Sequence, residues 1–101
     1  MRMMMKVGLD TELANEAARE GTLSSTIKSI LDDLKPEAAY FVAANGRRTG
    51  VVVFDLQDES DIPSVAEPWF LAFGAHIEAT PAMTVEDLGR ADMESPVEKY
   101  G

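Results

Sequence analysis

Residues 38–56 read AAYFVAANGRRTGVVVFDL, and this stretch decides the fold. Two runs rich in Tyr, Phe and Val, residues 38–44 and 49–56, flank Asn45-Gly46-Arg47-Arg48. Asn-Gly between such runs is among the strongest short-range hairpin signals. The hairpin can be phased with a two-residue or a four-residue loop. Either choice puts the same residues on the same face, because pairing sums keep one parity. Ala39, Phe41, Ala43, Val52 and Phe54 share one face, all apolar. Tyr40, Val42, Ala44, Val51, Val53 and Asp55 share the other, also largely apolar.

Working outward, residues 1–9 (MRMMMKVGL) predict a strand, given their length and the Gly8-Leu9-Asp10 exit. Asp10 or Thr11 can cap a following helix, with Glu12 favourable in its first turn. The spacing of Leu13, Ala17, Leu23, Ile27, Ile30, Leu31 and Leu34 is helical, and Gly21 interrupts it as a C-terminal cap. Two helical pieces, 11–20 and 23–34, are expected, stopped by Pro36. Beyond the hairpin, Ser60 or Asp61 opens a third helix with Pro63 in its first turn. Pro68 should kink that helix and Gly74 should end it. Residues 75–83 alternate as a strand. Thr84 with Asp87 resembles a capping box, so a short helix is expected over 85–91. Residues 93–101 look like a loosely ordered tail.

The order is β-α-β-β-α-β, which is α+β and ferredoxin-like: two main helices over one face of a four-stranded antiparallel sheet, in one domain spanning 1–92. With 101 residues there is room for one domain only, and 46% hydrophobic content supports a modest core.

Acids outnumber bases 18 to 9, for a formal charge of −9. Nucleic acid and anionic membrane surfaces are poor partners for such a chain. There is no cysteine, so disulfides, thiolate metal sites and thiol catalysis are excluded. No stretch approaches the roughly 20 apolar residues of a membrane span, no signal peptide is expected, and the cytoplasm is the default compartment. No phosphate-cradling glycine loop, nucleophile elbow or paired-carboxylate motif is present, and no cofactor or metal is called for.

A four-stranded sheet about five residues long has a footprint of roughly 300 Å². An apolar patch of that size is unusual on a monomer, and packing it on a second copy relieves the exposure. A homodimer through the open face is therefore expected. The competing arrangement folds the terminal helix, 84–92, back over that face.

Further resemblance rests on Lys35-Pro36-Glu37-Ala38-Ala39-Tyr40-Phe41, the turn with Gly46 and Arg48-Thr49, and Val53-Phe54-Asp55-Leu56. Ile62-Pro63, Ala66-Glu67-Pro68-Trp69-Phe70, Pro81-Ala82-Met83 and Glu86-Asp87-Leu88 extend it. On these residues the chain resembles the dimeric α+β barrel superfamily, and within it a group of small uncharacterised bacterial proteins. That superfamily includes cofactor-independent quinol monooxygenases, haem-degrading monooxygenases, lactone isomerases and stress-response proteins. The haem-degrading branch uses an Asn, a Trp on a strand and a His on a helix. Here Trp69 falls on a helix, His76 on a strand and Asn45 in a turn, which argues against haem chemistry.

Chemistry has few carriers. His76 is the only histidine and shares a strand face with Glu78 and Thr80. A histidine two positions from a carboxylate can serve as a general base or be a solvated strand edge. Tyr40 on the open face can offer a hydroxyl to a ligand or act as an amphipathic interface residue. His76, Glu78 and Tyr40 are the catalytic candidates. Met4, Tyr40, Val42, Val51 and Val53 are the candidates for lining a small apolar ligand. Three readings follow: a homodimeric module holding a small apolar molecule between its sheets, a cofactor-independent monooxygenase- or isomerase-like enzyme, or a subunit pairing with a different protein.

Overall fold

Along the chain run β1 (Arg2–Gly8), α1 (Thr11–Glu20), α2 (Leu23–Leu34), β2 (Ala38–Ala44), β3 (Arg47–Asp55), α3 (Ile62–Phe73), β4 (His76–Pro81), α4 (Val85–Gly89) and α5 (Glu94–Tyr100). A 3-10 turn, Glu59–Asp61, precedes α3. The computed structural model describes residues 1–101.

The hairpin takes the two-residue phase. Asn45 and Gly46 have φ of 54° and 73°, the left-handed pair whose twist matches that of the flanking strands. Ala44 therefore faces Arg47, and Tyr40 faces Val51. The sheet order is β2-β3-β1-β4, with every pairing antiparallel. That is the ferredoxin-like arrangement, with α1 and α2 in the first crossover and α3 in the second.

Local chemistry sets the helix ends. The Asp10 carboxylate accepts from the Leu13 backbone N–H at 3.0 Å and caps α1. Gly21 (φ 76°) closes α1, and Gly74 (φ 52°) closes α3. Thr22 precedes α2 without capping it, because its hydroxyl turns back to the Ala17 carbonyl. Asp61 precedes α3, again with no side-chain cap. Pro68 removes one backbone bond from α3, yet the helix continues unbroken to Phe73. The Thr84–Asp87 capping box is present at α4.

The core lies between one sheet face and α1 and α3. Met3, Met5, Val7, Val52 and Phe54 supply the sheet side, and Ala14, Trp69 and Phe73 the helix side. Each large apolar side chain so buried contributes about 1.5–3 kcal/mol. Helix α2 has no fully buried residue; Ile27, Ile30, Leu31 and Leu34 are half-buried. Of the three N-terminal methionines, Met3 and Met5 enter this core while Met4 points to the opposite face.

The C-terminal segment, expected as a loose tail over 93–101, is helical over Glu94–Tyr100. It forms α5, every residue of which is exposed. The molecule measures 59 × 28 × 20 Å with a radius of gyration of 16.9 Å. A compact chain of this length would have about 13 Å. A nine-residue strand spans only about 30 Å, so the extra length belongs to this C-terminal arm.

Candidate functional site

The sheet face turned away from the helices is bare. Strand register fixes its pattern in rows that run from β2 to β4. One row is Val42, Thr49, Gly8 and His76; the next is Tyr40, Val51, Lys6 and Glu78; the third is Ala38, Val53, Met4 and Thr80. Apart from Arg47, Thr49 and Asp55 on β3 the β2–β3 half is apolar, and apart from Met4 and Gly8 the β1–β4 half is polar. Reading a largely apolar face from the hairpin therefore holds for half of it. The register of β4 against β1 brings in Lys6, His76, Glu78 and Thr80 as the rest.

Tyr40 is 66% and Val42 47% exposed, while Met4, Val51 and Val53 are partly covered by their neighbours. The terminal helix does not fold over them. Helix α4 is held at the far end of the sheet, where Arg2 bonds Glu37 and lies 3.8 Å from Asp87. Its own Val85 and Leu88 are exposed.

At the hairpin end of this face, between the two halves, lies a hollow of about 270 Å³ lined by Lys6, Gly8, Ala44, Asn45, Arg47, Thr49, His76 and Glu78. Its shape depends on a missing side chain. A Cβ on Gly8 would lie 3.1 Å from Arg47 Cδ and 3.8 Å from the His76 carbonyl oxygen. The Arg47 stem thus packs over the bare backbone of Gly8, where a larger side chain would crowd it. Arg47 and Lys6 take part in no ion pair. The Thr49 hydroxyl is buried and occupied, within bonding distance of the Ala44 and Arg47 carbonyls.

His76 and Glu78 come together in this hollow as the strand alternation implies. Tyr40 does not join them. It shares a row with Glu78 but stands three strands away, about 14 Å by strand spacing. Met4, Tyr40, Val42, Val51 and Val53 form a continuous surface beside the hollow. Trp69 is buried, while Phe70 and Glu67 are exposed. No group of three or more His, Cys, Asp or Glu side chains is placed to hold a metal.

A second, larger hollow of about 690 Å³ lies on the helix side of β2, walled by Leu23, Ile27, Phe41 and Arg48 among others. The Arg48 guanidinium donates there to the Asn15 side-chain Oδ1 at 3.0 Å. Sequence reasoning missed this hollow. Its signal is Phe41, a core-face residue on an edge strand that α2 leaves half uncovered.

Residues 1–95 match the family model described as Domain of unknown function (DUF3303). No curated protein matches the chain. Among solved structures, a formyltetrahydrofolate deformylase from Pseudomonas putida KT2440 is similar at 16% identity and a TM-score of 0.48. That match covers 80% of this chain and 28% of the deformylase. A likeness at that level carries nothing about activity.

Proposed function

This chain belongs to the DUF3303 family, and we propose that it works as a homodimeric barrel, two open sheet faces packed together around a small, largely apolar molecule. The observation that carries this reading is the bare apolar half of the sheet, which none of the chain's own helices covers. The projecting arm supports it too, since Met83, Val85, Leu88, Met93, Val97 and Tyr100 are all exposed on the single chain.

A two-fold axis running across the strands stacks the apolar half of one sheet on the apolar half of the other. This leaves Met4, Tyr40, Val42, Val51 and Val53 lining the space between, as small-molecule pockets are usually lined. The mass in solution, by light scattering, tests the assembly. A mass of twice 11.0 kDa is expected; a stable single copy overturns it. A cysteine placed at Tyr40 tests the geometry without interference, because the chain has no other cysteine. A short bismaleimide should link two Tyr40→Cys copies.

A second reading, a cofactor-independent enzyme, is favoured by the proximity of His76 and Glu78. Within one chain Tyr40 is too far to join them. An axis along the strands would instead lay β2 of one copy over β4 of the other, bringing the partner's Tyr40 above Glu78, across the ~10 Å between packed sheets. His76 would then take a proton from an acidic carbon while the Tyr40 hydroxyl stabilises the resulting anion. Failure of Tyr40→Cys to self-link in a proven dimer favours this second arrangement.

A further inference from the structure

The hollow around Arg47 bears a charge pattern at odds with the rest of the molecule. The chain carries −9 overall, and several of its cations are engaged. Arg2 bonds Glu37, Lys28 bonds Asp32, Arg90 bonds Asp87 and Arg48 bonds Asn15. Arg47 and Lys6 are free of such partners, and both border this one hollow together with His76. Gly8 leaves open the strip of sheet across which the Arg47 stem lies.

We propose that this hollow is an anion subsite, and that the molecule held between the sheets is an organic carboxylate. The inference rests on the homodimer reading, because the second sheet would shut out the water that otherwise screens these charges. A guanidinium presents a planar fork that matches the two oxygens of a carboxylate. Lys6 adds a second positive charge next to Val51 in the same row of the sheet. The ligand's apolar body extends from there over Val51, Val53 and Met4 towards Tyr40. Glu78, directly opposite Lys6 in the register and in no ion pair with it, opposes a second negative charge. It therefore selects a monoanion over a phosphate dianion.

The test uses the full chain, with benzoate as probe, benzamide as its neutral isostere and inorganic phosphate as the bare anion. Binding is read by calorimetry and mass by light scattering. Benzoate should bind, and benzamide and phosphate should bind at least tenfold more weakly. Arg47→Gln keeps most of the stem and should cost about tenfold or more in benzoate affinity. Gly8→Val, whose branched side chain would stand against the Arg47 stem, should weaken benzoate binding by displacing it, and Glu78→Gln should strengthen benzoate binding. All three variants should keep the dimer mass. Equal binding of benzamide, equal binding of phosphate, or an unchanged Arg47→Gln overturns the carboxylate subsite. A dimer that binds no benzoate overturns the subsite alone, whereas a monomeric mass overturns the barrel and the subsite together.

Discussion

The rings of Trp69 and Phe73, one turn apart on α3, lie with centroids 6.4 Å apart and planes tilted by 37°. Both are sealed from solvent, and together they pin α3 to the sheet. The indole Nε1 of Trp69 has no hydrogen-bond partner. Trp69→Ala should cost about 3–5 kcal/mol, the range for emptying a large aromatic site. Trp69→Phe should cost clearly less, because no hydrogen bond is lost and an unpaired polar group leaves the core. Urea unfolding of the two variants checks this, and equal costs would count against it.

Gly50 faces Phe41 across the hairpin, and a Cβ there would lie 3.2 Å from the Phe41 Cε1. Phe41 thus covers the bare backbone of the glycine. Gly50→Ala should lift the ring away and cost about 1 kcal/mol or somewhat more. Much of that cost should vanish in a Phe41→Ala background, since the two sites share one contact. A double-mutant cycle by thermal melting measures the coupling, expected to be well above zero.

Val51 stands at the centre of the open face, between Tyr40 and Lys6. A carboxylate there would be stripped of its water against the apolar face of the second copy, and even with Lys6 opposite it the lost hydration costs about 3 kcal/mol or more. Val51→Asp should therefore weaken the dimer at least 100-fold while leaving the far-ultraviolet circular dichroism unchanged. Sedimentation velocity across a dilution series reads the result. An undiminished dimer would mean that the copies meet elsewhere.

The Asp87 carboxyl is held below the usual carboxylate range, first by the Thr84 backbone N–H, next by the Thr84 side chain, and further by Arg90, with slight burial opposing. A depressed value means that the charged form is favoured in the folded state. Its support for α4 is complete above the ordinary carboxylate value of about 3.9 and is lost as pH falls through the lowered one. An NMR titration should show the α4 amides shifting only in strongly acid solution. Thr84→Ala removes the hydroxyl but keeps the backbone N–H, so it should bring the Asp87 midpoint only part of the way back towards the ordinary range.

The hairpin, the helix pieces 11–20 and 23–34, and the capping residues Asp10, Gly21, Gly74 and Thr84 were legible because each depends on neighbours in the chain. Hydrophobic parity along 38–56 settled which residues share a face before any register was known. The candidate site was legible only in part. His76 and Glu78 are paired by simple alternation, but their position opposite Gly8 and Lys6 depends on β1 meeting β4 across seventy residues of chain. No local pattern encodes that register. The position of the Arg47 stem over Gly8 is subtler still, because it arises from an absent side chain on a different strand. Tyr40 looked like a companion of His76 because both lie on the same face; the sheet order sets them at opposite edges.

Strand β2 is an outer edge of the sheet, and none of its seven residues carries a charge or is a proline. Natural edges are usually guarded by a lysine, a proline or a bulge, because unpaired peptide groups invite strands from other molecules. Here the guard is missing along the whole rim. Refolding therefore becomes a race between correct assembly and clumping, and recovery of native protein should fall steeply as the refolding concentration rises.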